Sequence, residues 1–202
     1  MNYILAIGFF IAILIITFIL LIFMPKPLCY YDINKIYPEL KILEYEEYFK
    51  IIVKELLTDD ILNDNFNGIK LIYQNYNMQI DPDLIDTTFN ILRTIPFIRT
   101  VFITSVINNS DLPKRKGSSS IANNTIRCIL PIKIPGAKKT GIWTDGEIKL
   151  FQEGKLVLYD DSRENQVFNK HKRKKLYLLV IDVDRPDKIP IGISNIEHDV
   201  LF

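Results

Sequence analysis

Three patterns of hydrophobic and polar residues follow one another along the chain. Residues 3–24 are apolar almost without interruption and carry no charge. Over residues 39–57, apolar side chains recur at the three- and four-residue spacing of a helix face, and a start signal for a second helix follows near residue 83. From residue 97 onward, short β-branched and apolar runs alternate with turn residues, which is typical of strands. Helices followed by many short strands predict an α+β protein with a mainly β core, built as a barrel or a sandwich.

The predicted elements are two helices and a series of strands. The helices are expected at 39–57 and 83–93, and the sequence Asp81-Pro82-Asp83 supplies a start signal for the second. The strands are expected at 97–107, 125–134, 141–143, 147–151, 155–159, 164–168 and 175–183.

The first pattern predicts a membrane anchor. At about 1.5 Å per residue, an apolar helix over 3–24 crosses a hydrocarbon core of about 30 Å. A cleaved signal peptide is the alternative, but its apolar region is usually about 7–15 residues long and ends at a small-residue site, which the sequence PKPL at 25–28 does not offer. A buried core helix is less favoured because the segment is apolar on every face.

We therefore assign residues 1–24 to a transmembrane signal anchor, 25–38 to a linker and 39–202 to one domain. No basic residue precedes the apolar segment, whereas Lys26 and Lys35 follow it. The positive-inside rule thus favours a single-pass protein with a cytoplasmic domain, on the strength of two charges.

Charge and cysteine content narrow the possible partners. The chain has 25 basic and 24 acidic side chains, so its balance indicates no polyanionic partner such as nucleic acid. The two cysteines, Cys29 and Cys128, lie far apart and form no CxxC motif, which argues against a disulfide scaffold or a zinc site.

Three stretches carry candidate chemistry. The sequence EGKLVLYDDSRENQVFN at 153–169 brings a turn and an apolar strand to the paired acids Asp160 and Asp161, in front of an aromatic residue. This arrangement is typical of the wall of a small-molecule pocket. The sequence TIRCILPIKIP at 125–135 places Arg127 inside a core strand, and TSVINNSDLPKRKG occupies 104–117.

These stretches, together with the sequence DVDRP at 182–186, resemble the aspartyl/asparaginyl β-hydroxylases, which are Fe(II)- and 2-oxoglutarate-dependent oxygenases. The resemblance implies a double-stranded β-helix, a jelly-roll-like barrel of two facing sheets, built here from 97–185 with the helices outside. Membrane-bound members of that family also carry an N-terminal signal anchor, as residues 3–24 suggest for this chain.

The resemblance also implies roles for particular residues. In the family, the strand arginine that matches Arg127 grips the carboxylates of 2-oxoglutarate together with a second basic residue, which falls at Lys174 or Lys175 here. Thr104 keeps the hydroxyl of the family's serine, and Asp161 matches an acid that orients the pocket from behind the metal ligands. Guanidinium–carboxylate pairs of this kind are strong and directional in a dry pocket.

The resemblance fails at the positions of the iron ligands. The family's two ligand histidines correspond here to Arg115 and Asn165. An Fe(II) site needs imidazoles or carboxylates, whereas Arg115 has no acceptor and Asn165 offers only a weak amide oxygen. The remaining histidines, His171 and His198, fall outside the ligand positions and are interpreted as surface residues. We therefore expect no bound metal and no catalytic residue.

Simpler interpretations stay open at this point. Arg127 could pair with Asp182 or Asp161 to close the barrel, and Asp161 could merely cap a hairpin turn. The basic run KHKRKK at 170–175 could contact anionic lipid head groups or could simply be solvated.

The leading hypothesis is a membrane-anchored, catalytically degenerate hydroxylase-like protein that acts by binding a protein or a small anionic ligand in its barrel. One alternative is an active 2-oxoglutarate-dependent dioxygenase that hydroxylates Asp or Asn side chains with a repositioned metal site. The other is a purely structural membrane protein whose pocket is filled.

Overall fold

The computed structural model describes residues 9–11, 13–18, 28–58, 69–73, 76–77 and 85–197. Residues 9–11 and 13–18 are helical. Among the described residues, no helix has the length and apolarity that crossing a bilayer requires. Much of the predicted anchor at 3–24 lies outside these residues, so the anchor stays a prediction, and His198 lies outside them as well.

Within the described residues, two antiparallel sheets form the body of the protein. The larger sheet has the order β1-β9-β6-β11-β4-β2-β3 and the smaller one the order β5-β10-β7-β8. The strands are β1 (Tyr30–Tyr31), β2 (Ile69–Tyr73), β3 (Tyr76–Asn77), β4 (Ile98–Val106), β5 (Ser110–Asp111), β6 (Thr125–Lys133), β7 (Thr140–Thr144), β8 (Glu147–Leu150), β9 (Val157–Tyr159), β10 (Asn165–Asn169) and β11 (Leu176–Asp184).

Strand β11 shows why the larger sheet is apolar on both faces. It lies between β4 and β6, and its side chains alternate between two separate cores. Leu178 and Val180 pack in a core shared with Val167 of the smaller sheet, so the two sheets face each other. Leu179 and Ile181 point the other way, into a core closed by helices. A strand buried on both faces reads as a nearly continuous apolar run.

The helices cover the outer face of the larger sheet, as the sequence predicts. They are α1 (Ile33–Ile36), a 3-10 helix (Pro38–Glu44), α2 (Glu46–Leu56) and α3 (Asp86–Arg93), whereas a further short helix, α4 (Ser119–Ala122), directly precedes β6. Leu43, Ile52 and Leu92 are fully buried against this face. The helix predicted at 39–57 is divided in two, because Tyr45 has an extended backbone that separates the 3-10 helix from α2.

The predicted linker at 25–38 needs a correction for its described part. Tyr30 and Tyr31 form β1, which pairs with Tyr159 and Leu158 at the edge of the larger sheet. Cys29 and Tyr37 are buried. A strand of two residues is too short to produce a detectable period, so the sequence pattern misses it.

The sheets also extend beyond the predicted range of 97–185. Strand β2 pairs with β4 and continues the larger sheet on its far side. The strands predicted between 97 and 183 are otherwise confirmed, with ends displaced by at most two residues. The two facing sheets agree with a jelly-roll-like fold.

Glu44 ties the helical layer to the sheet. Its carboxylate accepts a hydrogen bond from the Leu156 N–H at 2.8 Å and pairs with Lys41 at 2.5 Å. Burial raises the pKa of Glu44, but the hydrogen bonds from Lys41 and from the Leu156 N–H outweigh it, so the pKa lies below its ordinary value. Deprotonated Glu44 therefore stabilises the folded state.

A Glu44→Gln variant should unfold more easily than the wild type at pH 7. A lowered folded-state pKa gives stability that is present above the unfolded pKa, about 4.3, and is lost as the pH falls through the folded value. Urea unfolding at pH 7 and at about pH 3 measures the difference. It should shrink at the lower pH. The control is Glu47→Gln on the exposed side of α2, which should change little at either pH. A difference that stays constant with pH would contradict the role of Glu44.

Candidate functional site

Three neighbouring strands bring polar side chains to one place between the sheets. In the pairing register, Arg127 on β6 lies opposite Asp182 on β11 and opposite Tyr159 on β9. Side chains alternate along a strand, and Ile129, two residues from Arg127, packs in the core between the sheets. Arg127 therefore faces the interior of the barrel.

Arg127 is held there by two carboxylates. Its Nε donates to Asp182 Oδ1 at 2.7 Å, and its Nη2 donates to Asp182 Oδ2 at 3.0 Å. On its other side, Nη1 lies 2.8 Å from Asp161 Oδ2. All three side chains are buried. The bidentate pair with Asp182 uses the planar fork of the guanidinium, and Asp161 takes the remaining direction.

Arg115 and Asn165 lie side by side at the rim of this cluster. The Arg115 N–H donates to the Asn165 carbonyl at 3.0 Å, and the Asn165 N–H donates to the Arg115 carbonyl at 2.8 Å. The Asn165 amide also donates to Asp161 Oδ1 at 3.0 Å, and Arg115 Nη2 lies 3.9 Å from that oxygen. The structure thus brings together the two positions at which the sequence analysis placed the lost ligands. Their descent from a metal site stays a prediction.

The electrostatics follow from burial and from the pairing of charges. Burial opposes the charge of Arg127, but Asp161 and Asp182 outweigh it and hold the pKa of the guanidinium well above its usual value. Burial raises the pKa of Asp161, which Arg127 and Arg115 only partly offset. Burial also raises the pKa of Tyr159 far above its ordinary value. Tyr159 therefore stays a neutral donor, 3.3 Å from Asp161 Oδ1.

The chain closes tightly over Asp161. The Gly117 N–H donates to the Asp161 carbonyl at 2.8 Å, and a Cβ on Gly117 would lie 2.1 Å from Asp161 Oδ2. The C-terminal segment covers this contact, because Ser194 donates to the Gly117 carbonyl and the Ile193 N–H donates to Ser162 Oγ at 3.0 Å. No side chain larger than hydrogen fits at residue 117, and Asp161 is buried beneath this segment.

The neighbouring acid, Asp160, serves a different pair. It accepts hydrogen bonds from Arg185 Nη2 at 2.6 Å and from Ser162 Oγ at 2.6 Å. Arg185 also donates to the Ala122 carbonyl. The pattern of two adjacent acids therefore reflects two structural roles, one on each side of the backbone.

The structure does not bring Thr104 and Lys175 to Arg127. Thr104 is buried on β4 opposite Leu178, which is four residues, or about 13 Å, along β11 from Asp182. Lys175 precedes β11 and lies seven residues, or about 23 Å, from Asp182. Leu176 packs inside the barrel, so alternation directs Lys175 to the opposite face.

His171 is also distant from the cluster. It lies in the β10–β11 hairpin, where its Nδ1 accepts hydrogen bonds from the N–H groups of Arg173 and Lys174. Tyr159 also belongs to the cluster, although no sequence motif singled it out. Tyr159 ends β9 two residues before Asp161, and this spacing, which directs both side chains to the same side of the chain, is the signal that could have found it.

The Fe(II) and 2-oxoglutarate that the family resemblance implies do not fit these residues. Arg115 has no lone pair for a metal, and the Asp161 carboxylate is already engaged by Arg127 and Asn165. Among the described residues, no three His, Cys, Asp or Glu side chains are grouped to hold a metal ion. The guanidinium that would grip 2-oxoglutarate is occupied by two protein carboxylates.

Removing Arg127 should strongly destabilise the fold. In Arg127→Met, Asp161 and Asp182 are left without their partner, and breaking a buried ion pair in this way costs about 3–5 kcal/mol. The matched control is Arg99→Met. Arg99 pairs with Asp184, which lies on β11 like Asp182, but both side chains of this pair are half-exposed. An exposed pair contributes at most about 1 kcal/mol. Urea unfolding of both variants measures the difference, and equal losses of stability would show that the buried cluster has no special role.

Comparison with known proteins adds a family and several distant relatives. The family model described as aspartyl/asparaginyl beta-hydroxylase matches residues 42–186, which is more than half of the chain and includes the whole Arg127 cluster. An ornithine lipid ester-linked acyl 2-hydroxylase from Rhizobium tropici is 28% identical over 109 residues. That match covers 54% of this chain and 37% of the relative, so the chain spans little more than a third of that protein.

Similar solved structures have low identity. An oxidoreductase of the 2OG-Fe(II) oxygenase family from Burkholderia pseudomallei is 12% identical, with a TM-score of 0.44 over 63% of this chain and 71% of that chain. A cupin 2 conserved barrel domain protein from Salinispora arenicola is 14% identical, with a TM-score of 0.37 over 61% and 79% of the two chains. On the family match over 42–186, the chain belongs to the aspartyl/asparaginyl β-hydroxylase family.

Proposed function

We propose that this chain is a non-catalytic member of its family that is anchored in a membrane through residues 3–24 and acts by binding. The hydroxylase-like domain then serves as a rigid scaffold. Its former catalytic centre has become a structural ion-pair cluster, and recognition takes place on its surface.

One observation carries this proposal. The Asp161 carboxylate is engaged at both oxygens: Arg127 Nη1 lies 2.8 Å from Oδ2, and Asn165 and Tyr159 donate to Oδ1. The family resemblance puts the metal and its cosubstrate at this place. A metal ion would have to displace these partners and would lie beside the guanidinium of Arg115. That repulsion grows as the local dielectric constant falls.

The membrane part of the proposal has separate support. Residues 3–24 are long and apolar enough to cross a bilayer as a helix. The curated relative is named for a reaction on the acyl chain of a lipid, which agrees with a protein that works at a membrane. Lys26 and Lys35 favour a cytoplasmic domain.

The alternatives make different demands on the same cluster. An active dioxygenase that hydroxylates Asp or Asn needs a second set of metal ligands, and the described residues contain no group of three His, Cys, Asp or Glu side chains that could hold a metal ion. A purely structural membrane protein is compatible with the closed centre. It differs from the proposed protein in having no partner at the surface.

Metal titration tests the catalytic degeneracy. We expect calorimetry of the full chain in detergent with Mn(II), a stable stand-in for Fe(II), to show no stoichiometric binding. A double variant, Arg115→His with Asn165→His, removes the repelling guanidinium and supplies two imidazoles next to Asp161. It should bind the metal with an affinity at least about 10–100-fold higher.

The matched control is Lys114→His with Glu164→His, two neighbouring positions on the exposed side of the same segments. This control should leave metal affinity as it is in the wild type. Tight one-to-one binding by the wild-type chain would overturn the proposal and would favour the active oxygenase.

A further inference from the structure

An apolar groove of about 420 Å³ lies between the N-terminal segment of the domain and the C-terminal segment. Leu28 and Ile36 line one side, and Ile191 and Ile193 line the other. Leu28 is 69% exposed, Ile191 is 77% exposed and Ile193 is 55% exposed. Large aliphatic side chains grouped in this way on a surface mark an interaction site.

The groove lies where the chain enters the domain. In the register of the larger sheet, Tyr30 on β1 lies opposite Tyr159 on β9. Tyr159 lies opposite Arg127 on β6, which lies opposite Asp182 near the end of β11. Leu28 therefore lies at the end of the barrel where β11 finishes. The predicted anchor ends at residue 24, and four residues span at most about 14 Å. A bilayer crossed by residues 3–24 would thus hold the groove within about 14 Å of its surface.

The charges around the groove suit a lipid surface. Asp160 and Arg163 lie in its wall, and each is neutralised by a closer partner, Arg185 at 2.6 Å and Asp145 at 2.9 Å respectively. Lys188 stands at the rim, where its ammonium donates to the Lys35 carbonyl at 2.8 Å. An aliphatic surface with a lysine at its edge matches the layering of a bilayer, with acyl chains below and phosphates above.

We propose that this groove docks on the lipid bilayer, with Leu28, Ile191 and Ile193 among the acyl chains and Lys188 at the level of the phosphates. The proposal rests on the membrane anchoring proposed above and adds a second contact that fixes the orientation of the domain. In this orientation the buried cluster of Arg127, Asp161 and Asp182 lies at the end of the barrel that faces the membrane.

The orientation has a consequence for the basic hairpin at 170–175. This hairpin precedes β11, and the groove follows it, so the nine residues of the strand separate them by about 30 Å. Docking through the groove turns the hairpin away from the membrane. A protein docked through the groove therefore does not contact anionic head groups through this hairpin.

Fluorescence quenching on the full chain in vesicles tests the docking. A single cysteine is introduced by Ile191→Cys in one variant and by Lys172→Cys, in the hairpin, in another. Each is labelled with a polarity-sensitive fluorophore, while the native Cys29 and Cys128 are buried. Vesicles carry lipids with a spin label on the acyl chain. The label at 191 should lose most of its fluorescence, and the label at 172 should keep it.

Flotation of the vesicles and alkaline extraction report the anchor independently. Chains that float and resist extraction but keep a bright label at 191 would refute the docking and leave the anchor intact. A quenched label at 191 on chains that alkali extracts would support the docking and refute the anchor. A chain that does not float refutes both.

A second copy of the chain is the other possible cover for the groove. In that case the label at 191 would report an apolar environment, but the spin-labelled lipids would not quench it. This outcome would overturn the docking on lipid.

Discussion

Arg127 imposes the strictest physical constraint on this protein, because its charge lies inside the barrel and must be balanced there. Taking a guanidinium out of water costs several kcal/mol unless its donors are satisfied. Asp182 on the neighbouring strand and Asp161 beyond the end of β9 provide that balance. The same carboxylate of Asp161 then fixes Asn165 and draws in Arg115. Through its partner Asp161, the buried Arg127 thus links β6, β9 and β11 of the larger sheet to Asn165 of the smaller sheet.

This constraint also decides the chemistry that the centre can support. In the family, the resemblance implies that the strand arginine holds a cosubstrate that comes and goes. Here the same kind of side chain is engaged by two carboxylates of the protein itself, and these are present in every folded molecule. Formally, the two positive charges of Arg115 and Arg127 balance the two negative charges of Asp161 and Asp182. A dianionic ligand would upset this balance unless it displaced one of the acids. Under the proposed function, Asp161 and Asp182 take the place that the family resemblance assigns to the carboxylates of 2-oxoglutarate.

Sequence patterns predicted most strands, because alternation and turn residues mark them locally. The family resemblance also implied that Arg115 and Asn165 lie together, since it matches both to ligands of one metal ion, and the structure pairs their backbones. The partner of Arg127 stayed open between ligand and protein, because Asp182 is distant in sequence and only the register of β6 with β11 brings the two together. The same register separates Thr104 and Lys175 from Arg127, and a family motif gives no information on it. The C-terminal segment that covers Gly117 lies beyond the matched stretches and had no signal.

The measurement that tests this account most directly is the binding of 2-oxoglutarate itself. Equilibrium dialysis of the full chain in detergent against labelled 2-oxoglutarate, with and without Mn(II), asks whether Arg127 can accept an external dianion. The account predicts no saturable binding in either condition, because Asp161 and Asp182 occupy the guanidinium. Saturable one-to-one binding would contradict it and would show that the cluster opens to admit the cosubstrate.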